Sequence, residues 1–181
     1  YTLTFENLAV ASGQVTLDGW TRIDTSRNLT GNRARVFLFP PHIMPTRETQ
    51  ALRFTDVYLD NQGRFALPEL LRDINSNGGT YRIGIRPLTV SSALARLYPE
   101  PVTLSTQNPP QLPALLLPNG DANRDGSIDV LDLGMLIASF DRCAGEAGYD
   151  GAADFNGDAC VDVLDLDILV RNFDQTRDFD P

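Results

Sequence analysis

The sequence predicts a multi-domain protein in which an all-β sandwich of seven or eight strands is followed by a small all-α module. Three observations support this division. Short strand-like segments separated by turn clusters continue to about Pro118, an acidic pattern then occurs twice, and each acidic pattern leads into an amphipathic helix. We therefore place the sandwich at residues 1–118 and the helical module, built from two loop–helix units, at residues 119–181.

The strand-like segments of the first part are short and are separated by clusters of Gly, Asn and Pro. The clearest hairpin is VYLDNQGRFAL, in which Asn61 and Gly63 can adopt positive φ in the turn. No long helical pattern interrupts these segments, which are YTLTF, GQVTL, ARVFLF, FTDVYL, GRFAL, TYRIGI, PVTLS and PALLL.

One stretch of this part resembles the carboxypeptidase regulatory-like and transthyretin-like sandwiches. Their pattern is a D-x-x-G turn, a GxFxL strand, a short loop and a GxYxIxI strand. The resemblance implies an immunoglobulin-like sandwich and says little about function. The matching residues are Asp60, Gly63, Phe65, Leu67, Gly79, Tyr81, Ile83 and Ile85.

The charge of the chain is concentrated in its last third. Residues 1–120 carry 9 acidic and 11 basic side chains, whereas residues 121–181 carry 15 acidic and 4 basic side chains. So dense an acidic block repels nucleic acid phosphates and anionic membranes, but it suits a multivalent cation. No apolar run approaches the roughly 18 residues that would cross a bilayer. The chain begins at Tyr1 without a signal peptide, so we expect a C-terminal fragment of a longer protein.

The acidic pattern has the spacing of an EF-hand calcium loop. Each copy places oxygen-bearing side chains at positions 1, 3, 5, 9 and 12, and position 7 offers its main-chain carbonyl. Solvated turn aspartates are the alternative, but two twelve-residue copies in phase with two helices favour two bound Ca²⁺ ions. The predicted ligands are Asp121, Asn123, Asp125, Ser127, Asp129 and Asp132, and then Asp154, Asn156, Asp158, Cys160, Asp162 and Asp165.

Position 6 differs between the two loops. It is Gly126 in the first loop and Ala159 in the second. Because an alanine at positive φ costs about 1 kcal/mol, the sequence predicts tighter binding in the first loop.

The two units lack the entering helix of a full EF-hand, since PPQLPALLLPNG contains too many prolines to be one. This duplicated half-hand, at residues 121–142 and 154–175, resembles the dockerin module of bacterial multi-enzyme assemblies. The resemblance implies a cohesin-like protein partner and a secreted or cell-surface bacterial protein. A core this small also suggests that calcium is structural rather than catalytic.

Each helix has two apolar sets. Leu133, Leu136 and Phe140, with their counterparts Leu166, Leu169 and Phe173, are predicted to pack the helices together antiparallel. The second set lies at positions 10, 11, 17 and 18, where the resemblance places partner-binding residues, and its duplication predicts docking in two orientations. The set is Val130, Leu131, Ile137 and Ala138 in the first repeat, and Val163, Leu164, Val170 and Arg171 in the second.

Both cysteines, Cys143 and Cys160, lie in the C-terminal module. Antiparallel helices would bring the end of the first helix beside the second loop, which favours a disulfide over two buried thiols. A disulfide would fit an extracellular protein.

The sequence contains no recognisable catalytic constellation. His42 is the only histidine, no two glutamates are positioned as an acid–base pair, and no phosphate loop or serine triad is present. We therefore predict a non-catalytic protein. Two alternatives remain: a calcium-stabilised structural tail packed on the sandwich without a dedicated partner, or a sandwich that binds carbohydrate, with a polysaccharide reached through the parent protein.

Overall fold

The computed structural model describes residues 9–19, 33–60, 62–68 and 79–181. Its two α-helices are α1 (Val130–Ser139) and α2 (Val163–Arg171), and a short 3-10 helix spans Glu48–Gln50. The strands are β1 (Ala9–Leu17), β2 (Arg33–Phe39), β3 (Arg53–Tyr58), β4 (Arg64–Pro68), β5 (Thr80–Pro87), β6 (Arg96–Leu97), β7 (Val102–Thr103), β8 (Leu115–Leu117), β9 (Arg142–Cys143) and β10 (Cys160–Val161).

The first eight strands form two sheets. A three-stranded sheet has the order β4-β1-β8, in which β4 is antiparallel and β8 parallel to β1. The second sheet has the order β3-β2-β5-β6, and β7 pairs with the first residues of β5. All pairs of the second sheet are antiparallel.

The two sheets enclose one hydrophobic core. Alternate residues along each strand point inward, as expected for strands that are buried on one face. Both sheets contribute aliphatic and aromatic side chains that are at most 6% exposed: Val10, Ala11, Val15, Phe65, Leu67 and Leu117 from the first sheet, and Ala34, Val36, Leu38, Val57, Tyr81, Ile83 and Ile85 from the second.

The turn predicted in VYLDNQGRFAL forms, but it does not close a hairpin. Gly63 has a φ of 73°, and the Asp60 carboxylate accepts hydrogen bonds from the main-chain N–H groups of Gln62 and Arg64. However, β3 pairs with β2 and β4 pairs with β1, so this turn carries the chain from one sheet to the other. Asn61 lies outside the described residues.

The prediction of an all-β sandwich followed by a small all-α module is wrong. The described residues are mostly β, with two short helices of 10 and 9 residues. Between these helices β9 and β10 form an antiparallel pair, and a backbone bridge joins Ser127 to Thr176. Strand pairing arises because the extended loop before each helix pairs with the chain that leaves the other helix. Neither helix of the described part is long and apolar enough to span a bilayer.

The C-terminal module packs on the sandwich through a buried hydrophobic cluster to which both contribute. Leu94, which precedes β6, lies in one buried cluster with Ile128, Leu136, Phe155 and Leu169 of the loop–helix units. Main-chain hydrogen bonds from Gly120 and Asp121 to the Ser92 carbonyl reinforce the contact at 3.1 and 3.0 Å.

After α2 the chain returns to the sandwich as a segment that we call the C-terminal strap, residues 174–181. Its Phe179 ring packs edge-on against Phe37 and Phe39 on the outer face of the second sheet, with both centroid distances 5.4 Å. Arg96 donates to the Thr176 carbonyl and to the Asp178 carboxylate. The strap therefore attaches the end of the second loop–helix unit to the sheet.

Candidate metal loops and docking face

The two predicted metal loops have the same local geometry. Asp129 and Asp162, at position 9, are the N-caps of α1 and α2, with φ of −142° and −144°. Each cap carboxylate accepts from a main-chain N–H in the first turn of its helix, at 2.7 Å. Asp132 and Asp165, at position 12, complete a capping box with their own cap residue. The sequence spacing thus fixes both the loop and the start of each helix.

Side chains at positions 1, 3 and 5 fold inward along each loop. In the first loop, Asp121 accepts from Gly126 N–H at 2.9 Å, and the Asn123 amide oxygen accepts from Asp125 N–H at 2.9 Å. In the second loop, Asp154 accepts from Ala159 N–H at 3.0 Å, and the Asn156 amide oxygen accepts from Asp158 N–H at 2.8 Å. The ligand oxygens of each loop therefore face a common concave side.

The first loop contains a buried oxygen that lacks a hydrogen-bond partner. Asp121 is 4% exposed and its Oδ1 accepts no hydrogen bond within the described residues. Burial, together with the nearby charges of Asp132 and Asp125, raises the pKa of Asp121 to about 6. An orphaned carboxylate oxygen among other oxygen donors fits a hard cation such as Ca²⁺.

Position 12 is the most deeply buried of the predicted ligand positions. Asp132 and Asp165 are both 0% exposed. Burial raises the pKa of Asp165, although three main-chain N–H groups that donate to its carboxylate oppose the shift. No three His, Cys, Asp or Glu side chains of the described residues are gathered as a metal cluster. The loop carboxylates accept hydrogen bonds from main-chain N–H groups of their own loops. The donor set of each loop nevertheless suits calcium.

Both loops have positive φ at positions 4 and 6. In the first loop these residues are Arg124, 64°, and Gly126, 94°; in the second they are Gly157, 74°, and Ala159, 77°. Each loop therefore contains one glycine and one non-glycine residue in the left-handed region. The strain that we expected at Ala159 is matched by Arg124, so position 6 alone gives no reason for the first loop to bind more tightly.

A pseudo-twofold relation links the two repeats. Asp141 N–H donates to the Val161 carbonyl at 2.8 Å, and Asp174 N–H donates to the Ile128 carbonyl at 2.9 Å. Asp141 and Asp174 occupy position 21 of their repeats, and both have positive φ, 60° and 64°. The two halves of the module are therefore built alike at the level of the backbone.

The predicted disulfide is present. Cys143 and Cys160 are bonded, and they are directly opposite each other in the β9–β10 pair. The equivalent pair in the other half is Ser127 and Thr176, which are joined by a backbone bridge alone. The disulfide therefore strengthens one of two equivalent cross-repeat contacts.

The predicted helix-packing face is correct for its leucines and wrong for its phenylalanines. Leu136 and Leu169 are fully buried, and Leu133 and Leu166 pack partly buried beside them. The phenylalanines, Phe140 and Phe173, are 41% and 40% exposed, because α1 and α2 have ended before position 20.

The predicted docking residues all lie on the surface. The six aliphatic residues at positions 10, 11 and 17 are between 55% and 65% exposed, and the position-18 residues are exposed as well. We call the exposed stripe of each helix its docking face. It consists of Val130, Leu131, Gly134, Ile137 and Ala138 on α1, and of Val163, Leu164, Asp167, Val170 and Arg171 on α2.

Several polar residues that support the loops carry no recognisable signal in the sequence. Asn119 is fully buried and donates to the Phe155 carbonyl of the second loop at 2.6 Å. Asn172 donates to the Asn119 carbonyl and to the Asp18 carboxylate, which joins α2 to the end of β1. These contacts bring together residues more than 30 positions apart, so no local pattern signals them.

Tyr149 was also missed. Its hydroxyl donates to the Asp154 carboxylate at 2.9 Å, and burial together with this bond raises the pKa of Tyr149 to about 12. The signal that could have identified it is that Tyr149 is the only aromatic residue in the spacer CAGEAGYDGAA.

Comparisons with known proteins agree with this geometry. The family model described as the dockerin type I domain matches residues 119–174. No curated protein sequence matches the chain significantly. Among solved structures, the chain is similar to a chain in an N-terminal interface mutant of the type II cohesin–X-dockerin complex from Acetivibrio cellulolyticus. The identity is 20% and the TM-score 0.64, over 92% of this chain and 96% of that chain.

A C-terminal interface mutant of the same complex is similar at 18% identity, with a TM-score of 0.61 and the same coverage of both chains. At these identities the likeness shows the fold, which extends over most of the chain and is not confined to the loop–helix units. The family match and the paired loop geometry cover the same segment. Residues 119–174 are therefore similar to the dockerin type I domain in both sequence pattern and loop geometry.

Proposed function

We propose that the chain is a non-catalytic docking protein whose dockerin domain binds a cohesin domain. The observation that carries this proposal is the exposure of two equivalent aliphatic sets, each 55% to 65% exposed, on helices that are otherwise packed. Exposed apolar patches of this kind mark interaction sites. Two of the structures to which the chain is similar belong to cohesin–X-dockerin complexes, which supports a cohesin as the class of partner.

The alternative is that the C-terminal module is a structural tail that packs on the sandwich and has no dedicated partner. The C-terminal module does pack on the sandwich, through Leu94 and through the Phe179 ring of the strap. However, this packing leaves Leu131 and Leu164 exposed at 59% and 55%. A tail whose only role was to cover the sandwich would have no use for two such exposed faces, so we favour docking.

We further propose that two Ca²⁺ ions hold the domain in its docking conformation. The side chains of Asp121, Asn123, Asp125, Asp129 and Asp132 and the Ser127 carbonyl would hold the first ion. The corresponding second set is Asp154, Asn156, Asp158, Asp162, Asp165 and the Cys160 carbonyl. The cation supplies positive charge that offsets the repulsion among buried carboxylates. Asp121 supports this role, because its buried Oδ1 has no other partner in the described residues.

The proposed setting is an extracellular one, secreted from or attached to a bacterial cell. A disulfide between Cys143 and Cys160 supports this setting, since disulfides persist mainly in oxidising compartments. The boundary between a sandwich at residues 1–118 and a docking domain at residues 119–181 also remains our proposal.

The test is cohesin binding by charge variants of the docking faces. Leu131→Asp and Leu164→Asp place a carboxylate at equivalent exposed sites, so neither should disturb folding. Binding to immobilised type I and type II cohesin domains should be abolished by the double substitution, with calcium binding retained. If the double variant still binds as the unchanged chain does, the docking faces are not the binding site.

A second candidate function is carbohydrate binding by the sandwich. Phe54 and Tyr58 lie on the same face of β3 and are 59% and 62% exposed. Exposed aromatic rings offer flat apolar surfaces that suit sugar rings, and Tyr58 adds a hydroxyl group. A glycan array with the chain and with a Phe54→Ala, Tyr58→Ala variant tests this function, and loss of array signals in the variant would support it.

A further inference from the structure

The docking faces of α1 and α2 share a backbone but differ in chemistry at two positions. Positions 10, 11 and 17 are aliphatic on both helices. Position 14 is Gly134 on α1 and Asp167 on α2, and position 18 is Ala138 on α1 and Arg171 on α2. The α1 face is therefore uncharged along its whole length, whereas the α2 face carries one acidic and one basic residue.

No contact among the described residues explains why position 14 of α1 is Gly134. It lies in the interior of α1, where glycine lowers helix stability relative to alanine. Its φ is not in the left-handed region, and a Cβ built on it would meet no atom within 4 Å. The described residues therefore neither require a glycine here nor gain from it. A surface glycine of this kind allows a second backbone to approach the helix closely.

The charged residues of the α2 face are engaged with each other and with the sandwich. Arg171 donates to the Asp167 carboxylate at 2.5 Å and to the Asp18 carboxylate at 3.4 Å. The Asp167 side chain is 60% exposed and that of Arg171 is 47% exposed. An apolar partner surface would have to desolvate this ion pair, which opposes binding unless the partner supplies matching charges.

We infer that α1 is the principal docking helix and that Gly134 is the point at which the cohesin backbone approaches it most closely. This inference rests on the proposed cohesin function. It identifies the partner surface as apolar and uncharged, because the α1 face offers aliphatic side chains around a bare backbone patch. The Asp167–Arg171 pair disfavours the equivalent orientation on α2, so the chain docks mainly in one of the two orientations that its pseudo-twofold symmetry allows.

The experiment compares matched substitutions at position 14 of the two helices. Gly134→Ala, Gly134→Asp and Asp167→Ala are titrated in calcium against those type I or type II cohesin domains that bind the unchanged chain. Gly134→Ala should weaken Kd by about tenfold or more, and Gly134→Asp, which reproduces the α2 residue, should weaken it further. Asp167→Ala should leave Kd within about twofold.

Urea unfolding of the same variants separates docking from folding. Gly134→Ala should raise the unfolding midpoint, because alanine is the better helix former, while it weakens binding. Equal losses at the two positions, or a Gly134→Ala variant that binds as well as the unchanged chain, would overturn the inference and leave cohesin docking intact. If the unchanged chain binds no cohesin of either type, the proposed function fails and the inference with it.

Discussion

Removal of the Phe179 ring tests whether the strap makes the C-terminal module and the sandwich one folding unit. Phe179 is 2% exposed, and its ring lies 5.4 Å from the rings of both Phe37 and Phe39. Gly84 lies directly beneath it, because a Cβ there would come within 2.9 Å of the Phe179 ring. The ring is the only part of the strap in this buried cluster, so Phe179→Ala should leave a cavity between the strap and the second sheet.

The expected loss can be worked from this burial. Truncating a fully buried Phe to Ala costs about 3 to 5 kcal/mol. A chain end relaxes more readily than an enclosed core, so we expect about 3 kcal/mol for Phe179→Ala, near the lower limit. The control is Phe173→Ala, in the same module but with a ring that is 40% exposed, for which we expect about 1 kcal/mol or less.

The assay is equilibrium unfolding in urea with calcium present, with the free energy of unfolding obtained by linear extrapolation. The unchanged chain should unfold in a single transition, and Phe179→Ala should lower the midpoint well below that of the Phe173→Ala control. Equal midpoints for the two variants would show that the strap carries little of the stability. The reasoning from burial would then be refuted.

Three further predictions concern the metal loops and the disulfide. Calorimetry on chelator-stripped protein should show two bound Ca²⁺ ions, and a single site would contradict this. Asp132→Ala should weaken calcium binding more than Asp129→Ala, because position 12 is a direct ligand and position 9 often acts through water. The reverse order of the two variants would contradict these roles. Replacing Cys143 and Cys160 with serine should lower the free energy of unfolding by about 3 kcal/mol for a loop of this length. Two alkylatable thiols in unreduced protein would contradict the disulfide. The Asp121 pKa of about 6 lies above that of an unfolded carboxyl, so the folded, calcium-free protein takes up a proton as pH falls through 6. The free energy of unfolding of the calcium-free protein, measured by urea titration, should therefore rise on acidification from pH 7 towards pH 5. In saturating calcium the free energy of unfolding should instead fall over the same pH range, because calcium binding needs the ionised carboxylate.

The loops could be predicted from the sequence because their geometry depends on short-range spacing. A carboxylate three residues after an N-cap aspartate can form a capping box without tertiary help, and both Asp132 and Asp165 do so. The exposure of the predicted docking residues follows from the same helical periodicity. The disulfide followed from placing Cys143 at the end of one helix and Cys160 in the opposite loop.

What the sequence did not predict depends on contacts between distant segments. The local sequence of the strap is polar with one aromatic residue, and it gives no sign that this residue is buried. Phe179 packs against Phe37 and Phe39, which lie about 140 residues earlier in the chain. The pairing partners of β3 and β4 likewise lie in different sheets, which alternation within the two strands cannot indicate. Helical periodicity alone also failed to show that each loop pairs with the chain that leaves the other helix, which is why an all-α module was expected.

Calcium-dependent binding of a cohesin domain tests the central claim most directly. Isothermal titration of the full chain with type I and type II cohesin domains should give saturable binding to at least one of them in calcium. The same titration after calcium removal with EDTA should give none, because the loops that position both docking faces would lose their cation. Binding that is unchanged in EDTA, or no binding to either cohesin type in calcium, would contradict the account.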